Sequence, residues 1–86
     1  MKKIAVIGAI LENPHDSQKA FNDTVSNFKG IVKGRMGIPF DDENMAVVSL
    51  TVVASVDEIN SLTGKLGNLK DITVKTAISD KNISEE

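Results

Sequence analysis

Four strand-like runs and two helical patterns follow one another along this chain in an order that few folds share. The strand-like runs, identified by hydropathy and alternation, lie at residues 4–11, 31–38, 45–54 and 72–78. The helical patterns lie at 14–29 and 56–67, so each falls between two strand-like runs. The sequence therefore predicts strand–helix–strand, followed by a second strand–helix–strand.

The hydropathy of the runs indicates where each strand lies in a sheet. The predicted strands are 3–11, 31–38, 45–54 and 71–78. The first and third are almost wholly apolar, as expected of central strands, whereas the second and fourth alternate and suit the edges. Two interleaved strand–helix–strand units then give a ferredoxin-like βαββαβ sandwich of the α+β class. We expect an antiparallel four-stranded sheet with order 4-1-3-2 and two helices on one face.

The second run carries two cations on an otherwise apolar strand. Strict alternation places Arg35 on one face with Lys33, and Val32 on the other face with Met36. Two outward charges are typical of an edge strand that is protected against unwanted pairing. The alternative is an anion site, because the donors of Arg35 match a carboxylate or phosphate.

Local signals mark the ends of both helices. Asn13 is the predicted cap of the first helix, and Pro14 suits its first position. We expect Gly30 to end that helix in a left-handed conformation. Residues 55–58 form a capping box for the second helix, in which Gly64 would be compensated by close packing on the sheet.

The length and composition of the chain limit the classes of protein to which it can belong. The 86 residues predict one ferredoxin-like domain at 1–78 and a polar C-terminal tail at 79–86, which we expect to be frayed. The net charge of −2 gives no reason to expect direct nucleic acid binding, and no apolar run is long enough for a membrane span. Cysteine is absent, which excludes disulfides and favours a cytoplasmic location for so small a domain.

Two helices can cover only one face of the predicted sheet. Both faces of the first and third strands are apolar, so the uncovered face stays apolar at its centre. Monomers rarely expose such a patch. We therefore expect a homo-oligomer, a dimer or a tetramer, joined through the open sheet face or through strand edges.

Few side chains could carry chemistry. His15 is the only histidine, and one histidine without cysteine does not make a transition-metal site within one chain, so we expect no metal. A site shared across an oligomer axis is the alternative. Acidic residues 41–43 lack the spacing of a calcium loop and are better explained as a solvated turn than as a cation site. No catalytic constellation can be assembled from the sequence.

The best candidates for binding lie near the start of the first helix. Asn13, His15 and Asp16 follow the first strand, where free backbone N–H groups of the helix face outward. Arg35 on the predicted edge strand is the fourth candidate. Simple helix capping is the alternative explanation for the first three.

Two stretches of the chain resemble a known family. They are RMGIP at 35–39 continuing to ENMAVV at 43–48, and LTGKLG at 62–67 continuing to ITVKT at 72–76. With the strand–helix order, they resemble the iron-only (FeFe) hydrogenase system regulators over residues 4–76. The resemblance implies an ACT-like fold, kinship with the C-terminal domain of nickel-responsive repressors, and a role in regulation. Those repressors bind nickel through several histidines and a cysteine, and this chain has only His15.

These observations favour a cytoplasmic regulatory module over an enzyme. It would bind a small-molecule effector or a protein partner, and no particular cofactor is indicated. One alternative is a small dimeric α+β-type enzyme, which would need a convergent polar pocket. A purely structural assembly protein is the other.

Overall fold

A four-stranded antiparallel sheet forms the body of the protein in the computed structural model, which describes residues 1–84. Its elements in chain order are β1 Lys3–Glu12, α1 Pro14–Ser26, β2 Val32–Phe40, β3 Met45–Ala54, α2 Val56–Gly67 and β4 Ile72–Ile78. The strand order is β2-β3-β1-β4, which is the predicted order read from the other edge. The predicted ferredoxin-like α+β fold is confirmed. Glu85 and Glu86 of the predicted tail lie outside the described residues.

The core lies between the sheet and the two helices. Antiparallel pairing of β1 with β3 joins ten residue pairs, and alternate members of each strand face the helices. Ile7 and Leu50 form one such pair, and both are fully buried. The helices complete this core with the buried side chains Phe21, Val25, Ile59, Leu62 and Leu66. Burial of each large side chain contributes about 1.5–3 kcal/mol to folding.

Helix α2 begins with the predicted capping box. The Glu58 N–H donates to Ser55 Oγ over 3.2 Å, and the Ser55 N–H donates to Glu58 Oε1 over 3.2 Å. The helix ends at Gly67, as expected. Gly64 differs from expectation, because a Cβ at this position would meet nothing within 4 Å. Close packing therefore does not explain this glycine, which lies exposed on the helix.

Helix α1 departs from prediction at both ends. Asn13 occupies the cap position and Pro14 the first helical position, but Asn13 has left-handed φ and ψ of 50° and 58° and its side chain does not cap the helix. The helix ends at Ser26, and the predicted left-handed cap at Gly30 is wrong, because Gly30 has negative φ. Successive tight turns satisfy the last carbonyl groups instead, with the Phe28 N–H donating to the Val25 carbonyl oxygen.

A β-bulge in β2 changes which residues share a face. Val32 pairs with Val52, but the next pair is Gly34 with Thr51, so Lys33 is the extra residue. Beyond the bulge the alternation is inverted. Arg35 therefore faces α1 on the same side as Val32, and the prediction that these two residues lie on opposite faces is wrong.

The tail pairs with β1 over part of its length. The Ser79 N–H donates to the Ile4 carbonyl oxygen, and the Ile83 N–H donates to that of Lys2, both over 2.9 Å. Lys3 Nζ also donates to the Asp80 carbonyl oxygen over 2.6 Å. The expectation of a frayed tail is therefore wrong for residues 79–83, because backbone donors beyond β4 find acceptors on β1.

Candidate functional site

The sheet face opposite the helices is apolar and uncovered. We call it the open face. It carries six large apolar side chains that are each 40–59% exposed: Ile4, Val6 and Ile10 of β1, and Met36, Ile38 and Phe40 of β2. By strand register, the open face also carries the polar residues Ser49 and Thr51 of β3, with Glu12 at the end of β1 and Lys75 on the edge strand β4. Lys2, which is bridged to Ile83, continues the same face beyond Ile4. The exposed apolar side chains of β1 and β2 are therefore separated by hydroxyl side chains on β3, and the charges lie at the ends of β1 and on β4.

A groove of about 330 Å³ lies between α1 and the β2–β3 hairpin. We call it the α1–β2 groove. Gln18 of α1 and Arg35 of β2 contribute polar groups to it, and Gly37 and Ala46 contribute almost no side-chain volume. A Cβ on Gly37 would meet nothing within 4 Å. The groove therefore exists because small residues leave part of the hairpin uncovered beside the helix.

Contacts with α1 fix the position of Arg35. Its Nη2 donates to Asn22 Oδ1 over 2.7 Å, and its guanidinium carbon lies 5.5 Å from the centroid of the Phe21 ring. This distance suits a cation–π contact. The guanidinium is consequently held beside the groove. Asp41, from the turn after β2, also lines the groove. Arg35 is the only cation that lines the groove in the described part of the chain.

The structure does not bring the four predicted site residues together. Arg35 lines the α1–β2 groove, whereas His15 is exposed in the first turn of α1. Asp16 lines a separate groove of about 130 Å³ with Lys70 and other residues. Asn13 belongs to a hydrogen-bonded junction at the end of the sheet. Sequence reasoning missed Gln18 and Gly37, although a glycine in an alternating strand is a signal for open space.

Three residues with left-handed backbones form that junction. Among residues 1–84, the non-glycine residues with positive φ are Asn13, Asn44 and Asp71. Asn44 Nδ2 donates to Asn13 Oδ1 over 2.6 Å, and Asn13 Nδ2 donates to Asp71 Oδ2 over 3.4 Å. The Glu12 N–H donates to the Asp71 carbonyl oxygen over 2.8 Å. The junction therefore connects the end of β1 with the starts of β3 and β4.

The described residues offer no evident metal site. Within residues 1–84, no three histidine, cysteine, aspartate or glutamate side chains are grouped so that they could hold a metal ion. The acidic residues Asp41–Glu43 form a short 3-10 turn between β2 and β3. No helix within residues 1–84 has the length and apolarity that crossing a membrane requires.

Comparisons with known proteins agree on one family. Residues 3–76 match the TM1266-like family, which is described as "Iron-only hydrogenase system regulator, putative". The solved structure of the uncharacterized protein TM1266 from Thermotoga maritima superposes with a TM-score of 0.87 and 29% sequence identity. That similarity covers 91% of this chain and 98% of the Thermotoga chain. A comparison with curated proteins gives no match. The match over residues 3–76 shows that this chain belongs to the TM1266-like family.

Proposed function

We propose that the chain is a non-catalytic regulatory module of an iron-only hydrogenase system and that it binds a small effector in the α1–β2 groove. The family description supplies the regulatory role. One observation supports the site: α1 holds the guanidinium of Arg35 beside a groove where Gly37 leaves open space. We place the module in the cytoplasm, because a cysteine-free domain of this size has no disulfides to stabilise it elsewhere.

The groove favours a small monoanion as effector. The planar donors of Arg35 match a carboxylate, and the Gln18 amide adds a donor and an acceptor. Asp41 lines the same groove, so its negative charge disfavours a polyanion such as a nucleotide. The remaining lining is mostly apolar and suits a short hydrocarbon body.

The same lining argues against the alternative of a small enzyme. The groove residues include no hydroxyl, thiol or imidazole side chain. Covalent catalysis needs a nucleophile beside a base, and general acid–base catalysis needs a proton carrier within reach of the substrate. Asp41 is the one acid that lines the groove, and no nucleophile or second proton carrier lines the groove with it. Binding is therefore the activity that this arrangement supports.

Thermal shift and calorimetry can test the proposal with acetate, pyruvate, lactate and single amino acids, and with inorganic phosphate as a comparison. A carboxylate present at 100 times its dissociation constant should stabilise the fold by about 2.7 kcal/mol. Gly37→Val should abolish this effect by filling the groove. Gly34→Val is the matched control, because Gly34 lies on the opposite face of β2 and also has free space around it.

The two glycine variants separate binding from folding. Neither glycine has positive φ, so valine can adopt either backbone conformation. Both variants should fold, and only Gly34→Val should retain the carboxylate response. Equal responses in both variants, or no response of the wild type to any carboxylate, would refute the groove as the effector site.

A further inference from the structure

We propose that the open face is an interface with a second copy of this chain. The proposal concerns the side of the sheet opposite Arg35 and Gly37 and does not depend on an effector, although the open face meets the α1–β2 groove at Ile38. In this dimer the sheet of one copy stacks on the sheet of the other, with β1 and β3 of each copy at the centre of the interface.

The distribution of exposed apolar side chains supports an interface. Of the eight large apolar side chains that are exposed among residues 1–84, six lie on the open face. The other two are Met1 at the terminus and Val56 at the start of α2. A contiguous apolar patch on a protein surface typically marks an interaction site.

The shape of the face favours a second sheet as its occupant. A single helix is about 10 Å wide and would cover about half of a four-stranded sheet. Two sheets pack face to face about 10 Å apart, and their alternate side chains interdigitate across the full width. This chain has one such uncovered sheet, so a second copy supplies a partner of the same dimensions.

The size of the face also meets the requirement for a dimer. The four strands have ten, nine, ten and seven residues. At about 3.3 Å per residue and 4.8 Å between strands, the face measures about 30 by 19 Å. Two copies would thus bury about 1,100 Å², which exceeds the roughly 1,000 Å² expected of a biological interface but lies just below the standard size.

The charges of the face permit self-association. By register, the open face carries the acid Glu12 and the bases Lys75 and Lys2. Glu12 is the last residue of β1, Lys2 directly precedes that strand, and Lys75 lies on an edge strand. A second copy therefore meets apolar side chains of β1 and β2 together with the hydroxyls of Ser49 and Thr51, and the few charges are of both signs and lie toward the rim.

Light scattering after size-exclusion chromatography tests the proposal. At micromolar concentration the wild type should have at least twice the 9.2 kDa mass of one chain. Val6→Lys should at least halve that mass by placing a charge on the central strand β1 in the middle of the face. Val56→Lys makes the same change at an exposed valine outside the face and should leave the mass unchanged.

Separate controls distinguish loss of the open-face interface from a folding defect and from association through strand edges. Circular dichroism should show the same secondary structure for all three proteins. If Val6→Lys does not fold, the milder Ile10→Thr, at an exposed residue of the open face that does not line the groove, should shift the dissociation of the oligomer to higher protein concentration. A monomeric wild type would overturn the proposal, and so would an oligomer that both variants leave intact, as expected of pairing through strand edges. Gly37→Val should not change the mass, so failure of the effector site and failure of the interface are distinguishable.

Discussion

The side-chain amide of Asn44 donates a 2.6 Å hydrogen bond to Oδ1 of Asn13, and both residues have left-handed backbones. The backbones are joined as well, since the Asn13 N–H donates to the Asn44 carbonyl oxygen over 3.1 Å. Each residue thus helps to hold the other in a conformation that is costly for most side chains. This pair fixes the chain direction where β1 ends and β3 begins.

Two substitutions at Asn44 should separate backbone strain from the side-chain bond. Asn44→Ala loses the hydrogen bond and leaves a residue that tolerates positive φ poorly, so we expect about 2 kcal/mol of destabilisation. Asn44→Gly also loses the bond but adopts positive φ freely, so its cost should be about 1 kcal/mol or less. Urea denaturation measures both. Equal losses would show that the left-handed backbone contributes nothing to the difference.

The capping box should contribute measurably to the stability of α2. Ser55→Ala removes the acceptor of the Glu58 N–H and should cost about 1 kcal/mol in the free energy of unfolding. Ser61→Ala is the matched control within the same helix, where Ser61 is exposed and alanine is the better helix former. A loss at Ser61 as large as that at Ser55 would contradict the capping role.

Gly64→Ala should stabilise the protein. Gly64 lies inside α2, and an added methyl group would meet no neighbour within 4 Å. Alanine reduces the backbone entropy that folding removes and favours the helix, so we expect a gain of about 0.5–1 kcal/mol. Thermal unfolding should show a higher midpoint. A lower midpoint would mean that the helix approaches the sheet more closely at Gly64 than the structure shows.

A hydroxyl pair connects α2 to the edge strand β4. Oγ1 of Thr63 and Oγ1 of Thr76 are 2.8 Å apart, and both residues are half-buried. Thr76→Val should cost about 1 kcal/mol, because it leaves the Thr63 hydroxyl without this partner. The double variant with Thr63→Val should cost less than the two single variants added together. Additive losses in this double-mutant cycle would show that the two hydroxyls do not interact.

Hydrogen exchange can test the ordered part of the tail. The amides of Ser79 and Ile83 donate to β1, so they should exchange more slowly than in an unstructured chain. Ile83→Pro removes the N–H that donates to Lys2 and should speed exchange of the remaining tail amide, that of Ser79, without changing β3. Exchange of both wild-type amides at unstructured rates would show that the tail is frayed after all.

Hydropathy and the alternation of strands with helices were together enough to predict the strand order. The apolar runs of β1 and β3 could only be central strands, and both capping signals of α2 lie within four consecutive residues. The bulge at Lys33 could not be predicted, because an extra residue on an edge strand leaves no mark in a short alternating pattern. The end of α1 was misplaced for a related reason: Gly30 permits a left-handed cap but does not require one.

Less of the candidate site could be predicted from the sequence. Arg35 was identified as a possible anion ligand, but its contact with Asn22 depends on the bulge that turns it toward α1. Asn13 was expected to cap a helix, and its actual partners Asn44 and Asp71 are distant in the chain. Contacts of this kind depend on tertiary register, which local patterns do not encode.

The bulge has a consequence for communication between the two surfaces. Beyond Lys33, successive residues of β2 alternate between the side that faces α1, with Arg35 and Gly37, and the open face, with Met36 and Ile38, and Ile38 also lines the groove. The side chains on one side of β2 therefore border the groove, and the side chains on its other side belong to the open face. If an effector that occupies the groove changes the twist of β2, it changes the shape that a second copy meets. Thermodynamic reciprocity then requires that self-association change the affinity for the effector by the same factor.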